Sequence, residues 1–231
     1  MSEDVKATNR RRQYRSAVRD DSARRTRRAI AAAAGELFVA KGYAATSLAE
    51  VAVAAGVARP TVFAAFGSKA ALLQQVLDEA LAGDDEPVPV AQRPWFQPIW
   101  QANTPAAVLD AYAVVCVLIA GRAARLFEAV RRAADDSPEA SQLWQTLQDN
   151  RRAGAKMVVE HARALGPLAQ GLSLTRAIDV LWVLNDPAHY EALVLDRGWA
   201  EAKFRRWLAD MMRHTLLAEG GRSQGRTRPV W

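Results

Sequence analysis

Few of the side chains that carry acid–base, nucleophilic or metal chemistry stand in a useful arrangement in this sequence. Its three histidines, His161, His189 and His214, are scattered. Glu160-His161 lacks the second histidine at the spacing a helical zinc site needs. Asp135-Asp136 runs into Ser137-Pro138, the pattern of a loop and helix cap rather than of paired catalytic acids. No glycine-rich phosphate loop or nucleophile elbow is present. The single cysteine, Cys116, lies in the apolar run Ala111 to Ala120, without a partner for a disulfide or a cysteine-based metal site. Buried among apolar neighbours, it reads as an unreactive thiol in a reducing cytoplasm. These residues predict no enzyme, no cofactor and no metal site. Arg59 is different: a guanidinium at the start of a short helix can donate two hydrogen bonds to one guanine edge.

The elements that must position Arg59 are legible around it. Ile30, Ala33, Ala34, Leu37 and Phe38 form one apolar stripe at helical spacing, with Ser22 as the expected cap and Gly42 as the stop. Ser47-Leu48-Ala49-Glu50 matches a capping box and opens a second, short helix that Gly56 ends. Pro60 suits the first turn of a third helix, in which Val62, Phe63 and Phe66 are expected to pack inward. Gly67 breaks that helix. Ser68 then caps a fourth, with a stripe of Leu72, Leu73, Val76, Leu77 and Leu81. Two short helices joined through a glycine-containing turn, with a first helix packed across them, make a helix-turn-helix, whose second helix enters the major groove. Positions 48, 51, 52, 57, 62, 63 and 66 hold the angle. Arg59, Thr61, Ala64 and Ala65 remain exposed, and Pro60, Thr61 and Ala64 can meet thymine methyls.

Charge agrees with this placement. Residues 1–69 hold 13 Lys and Arg against 6 Asp and Glu, whereas residues 70–220 hold 15 against 19. A basic amino-terminal third on an acidic remainder predicts that one end meets a polyanion, with double-stranded DNA the first choice. Residues 1–21, rich in arginine, are read as a disordered basic arm, residues 22–82 as the DNA-binding domain, residues 83–219 as a second helical domain, and residues 220–231 as a disordered tail. The arm lacks the apolar segment of an export signal, and the run Ala111 to Ala120 falls well short of the ~18 residues a membrane span needs, so no membrane partner is expected. Gly83 to Asn103 reads as a linker with aromatic anchors Trp95, Phe96 and Trp100. Helical patterns follow at 105–122, 123–134, 138–165, 174–184, 188–197 and 200–219, and no strand pattern competes, so the fold class is all-α.

Between Arg24 and Leu77 the sequence resembles the DNA-binding domain of the TetR family of bacterial transcriptional regulators. Leu37-Phe38, Gly42-Tyr43, Thr46-Ser47, Ala54-Ala55-Gly56-Val57, Pro60-Thr61-Val62-Phe63, Phe66 and Ser68-Lys69 follow the family's pattern in order and spacing. The resemblance implies a set of DNA contacts comprising Thr46, Ser47, Arg59, Pro60, Thr61, Phe63, Ala64 and Lys69, with Thr46 and Lys69 on operator phosphates. Phe63 stands where a tyrosine is usual and Ala65 where a histidine or tyrosine is usual. The arginine-rich arm offers replacement phosphate contacts.

The carboxy-terminal half is similar to the family through Leu181-Trp182, Asn185-Asp186-Pro187, Tyr190, Arg197-Gly198-Trp199 and Trp207-Leu208. This resemblance implies a repressor that binds a palindromic operator as a homodimer, pairs through the helices at 174–184 and 200–217, and is released by a small apolar or aromatic effector. Trp100, Tyr112, Cys116, Phe127, Trp144, Met157 and Trp182 are the expected effector contacts, against the plainer reading that they are core. A non-specific architectural DNA-binding protein is the alternative, and an all-helical enzyme the remote one.

Overall fold

The computed structural model describes the backbone of residues 3–218 and the side chains of residues 20–218. The chain divides into two compact units, Met1–Leu77 and Asp78–Trp231.

In the first unit, α1 (Glu3–Lys41) and α2 (Leu48–Ala54) are followed by α3 (Arg59–Phe66) and by α4 (Lys69–Ala82), which runs on past the boundary. Of the stripe read from the sequence, Ile30, Ala34 and Phe38 are buried, as are Val51, Ala52, Val62, Leu72, Leu73, Val76 and Leu77, while Ala33 and Leu37 are half-buried. Two expectations are corrected here. The backbone of 3–21, read as a disordered arm, is helical and continuous with α1. Ser22, read as its cap, lies mid-helix, its carbonyl accepting the Thr26 hydroxyl at 3.0 Å. The physical reason is composition: no glycine or proline precedes Gly35, and alanine, arginine, lysine and glutamine favour helix. Gly42 does end α1, with φ of 84°. The expected tail, 220–231, lies outside the described residues.

The second unit begins in the segment read as a linker. Two 3-10 turns, Val90–Gln92 and Pro94–Phe96, lead into α5 (Gln97–Gln101), and Phe96 and Ile99 are buried as anchors. Arg93 gathers this segment around itself. Its buried guanidinium donates to both Asp84 carboxylate oxygens at 2.7 and 2.6 Å, to the Glu86 carbonyl at 2.7 Å and to the Val88 carbonyl at 2.9 Å. The Arg93 guanidinium holds the Asp84 carboxyl below its usual range.

Then come α6 (Pro105–Ala133), α7 (Pro138–Leu165), α8 (Leu174–Leu184), a short α9 (Pro187–Tyr190) continued by a π-helical turn, Glu191–Asp196, and α10 (Glu201–Leu216). The expected break at 122–123 is absent: Gly121 is accommodated mid-helix, where a Cβ would come to 3.4 Å from the Tyr190 hydroxyl. Thr104, Ser137, Ser173 and Asp186 cap α6, α7, α8 and α9 through their side chains. By length and composition α6 could cross a membrane. It instead packs against α5, α7, α9 and α10 and buries thirteen residues, so its apolarity is that of a central core helix. The described residues contain no strand, only an isolated bridge between Leu168 and Leu217.

Candidate functional site

The reading surface is built from α2, α3 and the turn between them. Ser47 caps α2, accepting from the Glu50 N–H at 3.2 Å, while Glu50 accepts from the Ser47 N–H at 2.9 Å, a complete capping box. Glu50 also binds the Lys41 ammonium at 2.8 Å, which ties α2 to the end of α1. That hydrogen bond, with those from Ser47, holds the Glu50 carboxyl down at about 2. At the other end of α2, the Val57 N–H reaches the Ala52 carbonyl at 2.9 Å and the Gly56 N–H reaches Val53 at 3.1 Å. Gly56 adopts φ of 67°, so these bonds form a Schellman turn that a side chain would strain. The chain bends by 109° between α2 and α3, within the range of a helix-turn-helix.

Val62 is the one fully buried residue of α3, and it anchors the helix to the unit's core. Arg59, Pro60, Thr61, Phe63 and Ala64 are all exposed, and Ala65 and Phe66 are half-buried. Arg27 fixes the far end: its guanidinium donates to the Ala65 carbonyl and lies 4.3 Å from the Phe66 ring centroid. No acidic residue occupies the first turn of α3, so the positive end of its dipole is not offset at the position where phosphates would approach.

Lys69 opens α4, just after Ser68, whose hydroxyl accepts the Ala71 N–H at 3.0 Å. The Lys69 ammonium donates to the Tyr43 carbonyl at 2.9 Å and the Thr46 carbonyl at 3.1 Å, and sits 4.2 Å above the Tyr43 ring centroid. An ammonium has three N–H groups, so one remains beyond these two bonds. Thr46 differs from its expected role. It is 1% exposed, and its hydroxyl donates inward to the Gly42 carbonyl at 2.8 Å and the Leu37 carbonyl at 3.2 Å. Its side chain therefore cannot reach DNA from this position and instead closes the end of α1.

In the second unit the expected effector residues separate into three groups. Tyr112, Cys116 and Trp182 lie with the buried core, around Arg151. The Arg151 guanidinium lies 5.7 Å from the Trp182 ring centroid and donates to the Trp182 carbonyl and the Asn185 amide oxygen, both at 2.8 Å. Asn185 in turn donates to the Tyr112 hydroxyl at 2.7 Å. Burial raises the Tyr112 phenol above its usual value and pushes the Cys116 thiol up to about 12. Trp100 also packs against this core but its indole N–H is bonded to the Ala91 carbonyl at 3.0 Å and its ring is edge-on to His161. Phe127 and Trp144 pair edge-to-face at 6.4 Å outside that core cluster. Met157 is 42% exposed, so it is corrected from an interior contact to a surface residue of α7. Among the described residues no group of three or more His, Cys, Asp or Glu could hold a metal ion.

Residues 30–76 match the family described as bacterial regulatory proteins, tetR family. The match lies wholly within the amino-terminal unit and spans α2 and α3. No curated protein sequence matches the chain. Among solved structures, SmeT in complex with triclosan superposes with a TM-score of 0.66 at 20% identity, covering 89% of this chain and 98% of that one. NalD of Pseudomonas aeruginosa, the secondary repressor of the MexAB-OprM multidrug efflux pump, gives 0.63 at 21% identity, over 85% and 98%. FadR of Bacillus subtilis, a transcriptional regulator solved with stearoyl-CoA, gives 0.62 at 17%, over 80% and 96%. At these identities the shared property is the fold.

Of the four α3 positions the sequence leaves exposed, Arg59, Thr61 and Ala64 are so in the structure and Ala65 is half-buried; Pro60, expected to meet thymine methyls, is exposed as well. Phe63, read both as an inward residue and as a DNA contact, is 63% exposed and belongs with that surface rather than with the core. Arg27 and Tyr43 escaped attention as positioning residues. Only their distances to α3 and Lys69 reveal them, and a basic residue on an exposed helix carries no such signal.

Proposed function

We propose that this chain is a transcriptional regulator of the TetR type, a repressor that binds a palindromic operator as a homodimer and is released by a small apolar or aromatic effector. The observation that carries the reading is the surface of α3, where Arg59, Pro60, Thr61, Phe63 and Ala64 are exposed on a helix anchored by buried Val62. Arg59 reads guanine, Pro60, Thr61 and Ala64 meet thymine methyls, Ser47 and Lys69 face phosphates, and the basic first turns of α1 add phosphate contacts. Thr46 holds the frame.

Dimerisation is assigned to α8 and α10. Helix α8 turns Ala177, Ile178 and Leu181 into its own subunit and leaves Val183 52% exposed, while Trp207 and Met211 of α10 are half-buried. A two-fold axis there would impose the matching symmetry on the operator. The likeness to SmeT and FadR, solved with triclosan and stearoyl-CoA, supports an effector site in the second unit, at the Tyr112, Cys116 and Trp182 side chains. Such an effector would favour a dimer whose two α3 helices no longer match successive major grooves. This activity belongs in the cytoplasm, where the operator is.

Selection of bound sequences from random duplex DNA, followed by footprinting at about physiological salt, tests the proposal. A discrete palindrome protected by a dimer is expected. Even protection along any DNA would favour the architectural alternative and refute the regulator reading.

A further inference from the structure

Arg151 of α7 is nine-tenths buried, with its side chain 10% exposed. A guanidinium carries five N–H groups in a planar fork. Nη1 engages the Gln148 amide oxygen at 2.5 Å and the Asp186 carboxylate at 3.1 Å, and Nη2 engages the Trp182 carbonyl and the Asn185 amide oxygen. Four of the five groups are thus used. Nε is buried and has no partner, and the same holds for the indole Nε1 of Trp182, whose ring centroid lies 5.7 Å from the guanidinium carbon. Buried donors without acceptors are few in native proteins, and each calls for a physical reason.

The neighbouring polar groups sharpen the point. The Tyr112 oxygen accepts from Asn185, and Asn185 also accepts from Arg151, so these two residues are engaged with each other and with the guanidinium. The unmet groups of the cluster are both donors. A molecule that satisfied them must therefore bring an acceptor oxygen, and beside a guanidinium a carboxylate or phenolate oxygen is the strongest such acceptor. Its body must suit the indole of Trp182 and the ring of Tyr112, which favours a flat aromatic group. Asp186 is about one-third exposed, and its carboxylate balances the guanidinium from the outer side. An incoming anion can share or replace that contact, as planar carboxylates do with arginine.

We propose that Arg151 and Trp182 form the polar end of a binding site for a small aromatic acid, whose carboxylate or phenolate oxygen accepts from Arg151 Nε and Trp182 Nε1. The inference rests on the regulator reading for its biological use, but binding itself can be measured without DNA.

The experiment uses the full chain, with 1-naphthoate as probe and 1-naphthylmethylammonium as its counterpart of similar shape and opposite charge, each titrated by calorimetry up to 10 mM. Wild type is expected to bind the naphthoate and not the ammonium. Trp182→Phe, which keeps an aromatic ring and removes the N–H, should weaken the naphthoate about tenfold. Arg151→Met should lose naphthoate binding, with its circular dichroism compared with wild type to exclude unfolding. The proposal is overturned by naphthoate that does not bind, by equal binding of the two probes, or by an unchanged naphthoate affinity in Trp182→Phe. Naphthoate that binds through Trp182 without altering DNA affinity would leave this site standing and count against the effector-release mechanism alone.

Discussion

Replacing Thr46 with valine separates two roles for a residue that sequence resemblance places on an operator phosphate and the structure places inside the domain. The substitution keeps the β-branched shape and removes the hydroxyl that donates to the Gly42 carbonyl at 2.8 Å and the Leu37 carbonyl at 3.2 Å. A hydrogen bond of this kind contributes about 0.5 to 1.5 kcal/mol net, and a carbonyl left without its donor in a buried setting raises the cost to about 1 to 3 kcal/mol. With a urea slope of about 2 kcal/mol/M, the unfolding midpoint should fall by roughly 0.5 to 1.5 M. Far-ultraviolet circular dichroism against urea measures this. Operator affinity, taken on folded protein by fluorescence anisotropy with a selected duplex, should change by less than about threefold, because no phosphate bond is lost. A charge-assisted bond to phosphate is worth about 1.5 to 3 kcal/mol, so a hydroxyl in contact with DNA would cost tenfold or more on removal. Unchanged stability together with a tenfold loss of affinity would refute the positioning role.

Arg59→Ala should cost about 1 to 3 kcal/mol of discrimination between operator and mutated operator, whereas Lys69→Ala should weaken every duplex alike and reduce the salt slope by about 0.9; equal effects of the two in competition binding would contradict their assigned roles. Cys116, its thiol raised to about 12 by burial, should resist iodoacetamide at pH 8 in the native protein and react in urea, as followed by mass spectrometry; rapid native labelling would contradict it. Glu50, held at about 2 against an ordinary 4.5, is stabilising as the carboxylate: its contribution is complete above pH 4.5 and fades as pH falls toward 2. The stability gap between wild type and Glu50→Gln, measured by urea unfolding, should therefore close over that interval, and a gap independent of pH would refute the assignment.

The parts legible in the sequence were those fixed by short-range rules. The capping box at Ser47 and Glu50, the glycine stops at Gly42, Gly56 and Gly67, and the span Pro138–Leu165 follow from local patterns that tertiary packing had no reason to override. The parts that were not legible depend on partners distant in the chain. Phe63 is apolar at a position that looks inward by composition, but the 109° bend puts Val62 in the core and Phe63 outside. The break expected at 122–123 does not occur, because α6 runs unbroken through a core that its thirteen buried residues fill. Arg151 and Arg93 carry no pattern at all, since a lone arginine in a helix or loop reads as a solvated charge until its acceptors are placed around it.

The helix-turn-helix keeps its mechanical parts and its contact parts on different side chains. Val51, Ala52, Val62 and Gly56 set the bend, while the exposed side chains of α3 at 59, 60, 61, 63 and 64 do not enter the core. On the proposed reading, operator preference can therefore drift, or be rewritten by transplanting those positions, at little cost in folding. A lineage of such proteins could acquire new target promoters faster than it could alter its scaffold.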